Sequence, residues 1–93
     1  MRFTEIDQEP PRIEFPCDYP IKVMGTASDA FQTEVLAIIH RHASPVPEHR
    51  ITERASARGN YLSITVVIEA TGEQQLEAIF RELMDQESVK IVL

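Results

Sequence analysis

The sequence predicts an α+β domain of the ferredoxin-like kind: a four-stranded antiparallel sheet with two helices on one face, in the order βαββαβ. Three observations carry this expectation. Tyr61–Ala70 (YLSITVVIEA) alternates side chains along its whole length, as a strand with one buried face must. Phe31, Val35, Ile38, Ile39 and His42, and later Leu76, Ile79, Phe80 and Leu83, recur at helical spacing and give each segment one stripe toward a core. Shorter strand-like runs precede the first helix, follow it and close the chain. Right-handed crossovers among these elements place the first and third strands in the middle of the sheet.

The elements follow in order. Residues 1–12 (MRFTEIDQEPPR) carry Pro10 and Pro11 and few apolar side chains, which predicts a mobile N-terminal extension; residues 13–93 form the single domain. Ile13 and Phe15 are expected to lie against the core. Tyr19, Ile21 and Val23 alternate with Pro20, Lys22 and Met24, a short strand that ends at Gly25. Ser28 stands where a helix N-cap belongs, and Asp29 suits the positive end of the helix dipole. Arg41 and His42 suit the other end, and Pro45 and Pro47 close the helix.

Residues 48–55 (EHRITERA) read as the second strand, with Ile51 and Ala55 on one side and Arg50, Thr52 and Arg54 on the other. Its charges suit a sheet edge that must resist unwanted pairing. Residues 56–60 (SARGN) form a turn in which Gly59 supplies a positive φ. In the third strand Leu62, Ile64, Val66, Ile68 and Ala70 face the core, and Tyr61, Ser63, Thr65, Val67 and Glu69 face away. Thr71 and Gln74 have capping-box spacing at the start of the second helix. The outer face of that helix is acidic, with Glu73, Glu77, Glu82, Asp85 and Glu87. Val89–Leu93 (VKIVL) is a final edge strand whose apolar character suits strand addition between subunits, so a homodimer is compatible with the sequence.

Charge and composition narrow the function. The 93 residues carry a net charge of −6, which disfavours nucleic acid and anionic membrane surfaces as partners. No apolar stretch approaches the roughly 20 residues of a membrane span, and no signal-like apolar run follows Met1, so a soluble cytoplasmic protein is expected. The lone Cys17 excludes an intramolecular disulfide and a Cys-rich zinc site, and its neighbour Asp18 opposes thiolate formation. His40 and His42 point about 200° apart on a helix, and His49 lies beyond the proline turn, so no metal site is expected. Glu73 and Glu77 are helix neighbours on a solvated face rather than a carboxylate pair in a pocket. With three glycines there is no phosphate-cradling loop. These absences predict no catalysis and no cofactor.

Arg58-Gly59-Asn60-Tyr61-Leu62-Ser63 opens like the third strand of an RNA-recognition motif, but Asn60 and Leu62 stand where stacking aromatics belong, so nucleic acid is not the expected partner. Two groups of residues remain. Gly25, Thr26, Ala27, Ser28 and Asp29, at the entry to the first helix, are candidate ligands for a small carboxylate or phosphate, because a helix N-terminus offers free amides. Lys22, Met24, Arg50, Thr52, Arg54, Ser63, Thr65 and Val67, on the face of the sheet away from the helices, are candidates for docking another protein.

The motifs IEFPCDYPIKVMG (Ile13–Gly25), IIHRHA (Ile38–Ala43), RGNYLSITVVIEAT (Arg58–Thr71) and VKIVL (Val89–Leu93) occur in an order that resembles the YbeD-like family of small bacterial proteins of unknown function. The resemblance covers residues 13–93 and implies a ferredoxin-like fold similar to the ACT domain, which senses small molecules and regulates enzymes of amino-acid metabolism. It implies no catalytic residues. ACT domains carry an Asp-x-Pro-Gly type of turn after their first strand, and here only Gly25 matches it. The expectation is therefore a non-enzymatic, cytoplasmic regulatory or adaptor domain that binds another protein through its sheet face or edge. The alternative is an ACT-like sensor of an anionic metabolite at Gly25–Asp29.

Overall fold

In the computed structural model, which describes residues 14–93, the chain forms β1 (Cys17–Thr26), α1 (Asp29–His42), a single 3-10 turn (Glu48–Arg50), β2 (Ile51–Ala55), β3 (Tyr61–Ala70), α2 (Glu73–Met84) and β4 (Val89–Val92). The sheet order is β2-β3-β1-β4, every neighbouring pair antiparallel, so the first and third strands are central as the sequence predicts. The expectations for residues 1–12 and for Ile13 lie outside the described residues. Phe15 and Cys17 pack against the core from the entry to β1.

One layer of apolar side chains joins sheet to helices. Ile21 and Val23 from β1, Ile64, Val66, Ile68 and Ala70 from β3, Phe31, Val35, Ile38 and Ile39 from α1, and Leu76, Ile79 and Leu83 from α2 are all buried. These are the stripes that the periodicity marks, except that Phe80 and His42 are only half-buried. Among the described residues no polar or charged side chain is buried, so nothing in the core needs a hydrogen-bonding partner.

Local chemistry explains most of the boundaries. Ser28 caps α1, its Oγ accepting from the Phe31 N–H at 3.0 Å. Gly59 turns the β2–β3 hairpin at φ 74°. Gly25 is buried for another reason. A Cβ there would collide with the Ser88 carbonyl and the Phe31 ring, so the missing side chain lets α1 and the approach to β4 close on β1.

Two expectations need correction. The second strand starts at Ile51 rather than Glu48, because the Arg50 N–H donates to the Pro47 carbonyl at 2.9 Å and closes a turn over Glu48–Arg50. The capping box of Thr71 and Gln74 does not form: α2 starts at Glu73 after Gly72, which makes no side-chain cap. The neighbouring Gln75 acts instead. Its Oε1 accepts from the Thr71 N–H and its Nε2 donates to the His42 carbonyl, both at 2.8 Å, tying the start of α2 to the end of α1.

Candidate functional site: the open face of the sheet

Among the described residues both helices lie on one face, so alternate residues of the four strands are left on the other. The register sets them in rows. Ile91, Met24, Ser63 and Arg54 lie side by side from β4 to β2. Leu93, Lys22, Thr65 and Thr52 form the next row, with Leu93 joined to Lys22 by backbone hydrogen bonds in both directions, at 2.8 and 3.1 Å. Pro20 pairs with Val67 in a third. Of the sequence-predicted docking residues, Lys22, Met24, Thr52, Arg54, Ser63, Thr65 and Val67 thus fall on one surface, and Arg50 does not.

Within it, Lys22, Met24, Arg54 and Ser63 line a shallow depression of about 190 Å³ together with Ala55, Ser56, Tyr61 and Leu62. The β2–β3 hairpin borders it and is closed by two hydrogen bonds: the Ser56 N–H donates to the Tyr61 carbonyl, and the Tyr61 N–H donates to the Ser56 Oγ. Two cationic heads, a thioether, a phenol and hydroxyls meet there. Among the described residues neither Lys22 nor Arg54 takes part in an ion pair. Such a surface can accept carboxylates while burying an apolar side chain between them.

Arg50 lies outside these rows, in the 3-10 turn, and Val67 stands at their far end. They line a separate hollow with Asp18, Glu69 and the Ser44–Pro47 loop. Arg50 is already engaged: Nη1 and Nη2 donate to the two carboxylate oxygens of Asp18 at 3.0 and 3.4 Å. That hydrogen bond, and then the charge of Asp18, raise the Arg50 pKa above its ordinary value. Arg50 thus serves to fix the 3-10 turn to β1.

The turn at Gly25–Asp29 is largely occupied by the fold. The Thr26 N–H donates to the Ser88 carbonyl, the Ala27 N–H to the Asn60 carbonyl and the Phe31 N–H to Ser28. The hollow beside it is lined by Glu34, Asp85 and Glu87 as well as Thr26, Ser28 and Ser88, a setting that repels anions. Among the described residues no group of three or more His, Cys, Asp or Glu side chains is placed to hold a metal ion. No helix there is long and apolar enough to cross a membrane.

The docking candidates read from the sequence left out three parts of the open face, and the sequence did not show one clamp between the helices. Tyr61, Ile91 and Leu93 are exposed there. Tyr61 was legible from the alternation of β3. Ile91 was not, because a register shift opposite Met24 and Gly25 breaks the alternation of β4. Between the helices, the Glu82 carboxylate accepts from Arg41, and His42 Nε2 lies 2.8 Å from its other oxygen. Hydrogen bonds to Arg41 and then to His42 hold the Glu82 carboxyl below the usual carboxylate range. Glu82 therefore joins α2 to α1 instead of standing on the outer acidic face.

Comparison with known proteins agrees with this architecture. The solution structure of protein HP0495 from H. pylori superposes with a TM-score of 0.67 at 19% identity, covering 100% of this chain and 98% of that one. An uncharacterised protein from Thermotoga maritima superposes with a TM-score of 0.58 at 14% identity over 82% of this chain and 92% of that one. At these identities the likeness is one of fold. In sequence, a UPF0250 protein of Ectopseudomonas mendocina is 45% identical over 97% of this chain and 99% of its own length. A UPF0250 protein of Neisseria gonorrhoeae is 41% identical over the same shares. The family model described as "Protein of unknown function (DUF493)" matches residues 10–93. With the βαββαβ fold and near full-length relatives in agreement, the chain belongs to the DUF493 family, the YbeD-like proteins of which the UPF0250 relatives are examples.

Proposed function

We propose that this protein is a non-enzymatic regulatory or adaptor domain whose open sheet face docks an acidic, apolar-bearing segment of another protein. One observation carries the reading: Lys22, Arg54, Met24 and Tyr61 line a single depression, on the face that no helix covers among the described residues, in a chain whose net charge is −6. The local sign of charge runs against that of the molecule. A partner segment with alternating carboxylates and apolar side chains would satisfy both cations and cover the thioether and phenol. The rows across β1, β3 and β2 suit an extended segment better than a small metabolite, since they continue well beyond the depression. The sensor reading at Gly25–Asp29 has weaker support, because the Thr26 and Ala27 amides are taken and the surrounding side chains are acidic.

The test is a titration of isotope-labelled protein with a synthetic peptide of alternating Glu and Leu, followed by backbone amide shifts. Saturable shifts at Lys22, Met24, Arg54, Tyr61 and Ser63 are expected, and they should weaken as salt is raised. A Lys/Leu peptide of the same length should leave those amides unmoved. Shifts clustered at Gly25–Asp29, or equal responses to both peptides, would contradict the reading.

A further inference from the structure

The two margins of the sheet differ in kind. β2 presents Thr52, Glu53 and Arg54, a charged edge that discourages pairing. β4 carries one charge, Lys90, among Val89, Ile91 and Val92. Among the described residues few large apolar side chains are exposed elsewhere, yet three gather at this margin: Ile91 at 45%, Leu93 at 69% and Met84 at 59%. Met84 belongs here by helix geometry. Gln75 and Glu82 turn one flank of α2 toward α1. Met84 lies about 200° round the helix from Glu82, on the flank away from α1, and α2 packs on β4.

The backbone phase of β4 is fixed by its inner neighbour. Leu93 and Lys22 exchange both N–H···O bonds, at 2.8 and 3.1 Å. In an antiparallel ladder the adjacent residue turns both of its groups the other way, so the Val92 N–H and C=O face the open margin.

We infer that β4 pairs with β4 of a second copy of this chain about a two-fold axis through Val92. Each Val92 then donates to and accepts from the partner's Val92. Ile91 comes opposite the partner's Leu93 on the open face, and symmetry repeats the contact. In this register Lys90 does not come opposite the partner's Lys90, so the lysines of the two strands do not oppose each other on the ladder. This self-complementarity selects a second copy over a foreign strand, because one surface satisfies both sides and the assembly closes at two. The two sheets join into one of eight strands whose open face carries both Lys22–Arg54 depressions, so a partner with two acidic segments binds with avidity. Two chains of net charge −6 repel at long range, so apolar contact drives association and added salt strengthens it.

The experiment is sedimentation equilibrium of the full chain up to ~1 mM, a range that detects weak pairing, at low and high salt. A reversible dimer that tightens with salt is expected. Ile91→Lys and Leu93→Glu should each weaken it at least about tenfold, since each places a charge in the desolvated centre twice. Amide spectra check that the variants stay folded. If Ile91→Lys disturbs the fold, Leu93→Glu carries the test, because that side chain is the more exposed. A monomer throughout the range, a dimer indifferent to both substitutions, or one that loosens with salt would overturn the inference.

Discussion

The two faces of this sheet are made by alternate residues of the same strands, and they do opposite work. Ile64 and Val66 are wholly buried, while their neighbours Ser63 and Thr65 sit beside Met24 and Lys22 on the open face. On the helix-covered face no polar or charged side chain is buried among the described residues, and Glu53, at its β2 margin, stays exposed and accepts a hydrogen bond from Gln32 of α1. The open face mixes cations, hydroxyls, a thioether and a phenol. A shift of one position along a strand thus separates residues that hold the fold from residues available for recognition. Stability and binding should be separable by substitution at adjacent positions.

The largest effect should come from the covered side. Phe31→Ala removes a wholly buried ring that fills the space left by Gly25, and should cost about 4 kcal/mol in urea unfolding. Gly25→Ala should cost about 2–3 kcal/mol, because its Cβ has no room between the Ser88 carbonyl and Phe31. Loss of function in that variant would report a damaged fold rather than a lost ligand. Ile64→Ala set against Ser63→Ala sharpens the comparison within two consecutive residues: about 3 kcal/mol for the first and under about 0.5 kcal/mol for the second. Equal costs would break it.

A smaller effect is expected at the clamp between the helices. The Glu82 carboxyl is held below its ordinary value when folded. Its contribution is therefore complete above the ordinary carboxylate range and is lost as pH falls through the lowered folded value. Glu82→Gln should remove that part of the acid slope when Tm is followed against pH, with little change in slope at neutral pH. An unchanged acid limb would show that Arg41 and His42 do not hold Glu82 in solution. Smallest of all in stability are Lys22→Ala and Arg54→Ala, each within about 0.5 kcal/mol of the parent, although either should weaken the response to the Glu/Leu peptide.

Much of this division could be read from the chain. The period-2 pattern of β3 assigned its residues to faces, and the helical stripes of Phe31–Ile39 and Leu76–Leu83 found the core. These signals are local. What escaped was set by contacts between distant residues. Arg50 looks like a docking cation until Asp18, 32 positions earlier, is brought against it. Gly25 looks like a ligand-binding glycine until Phe31 and Ser88 are seen to occupy the space above it. The phase of β4 depends on a register shift against β1 that its short sequence does not encode.

The most direct test of the open face as a docking surface is a reversal of its charge preference. In the Lys22→Glu/Arg54→Glu double variant, amide shifts should be lost for the Glu/Leu peptide and gained for the Lys/Leu peptide, at Met24, Tyr61 and Ser63, with the folded spectrum otherwise retained. A double variant that still prefers the acidic peptide at those amides would contradict the account.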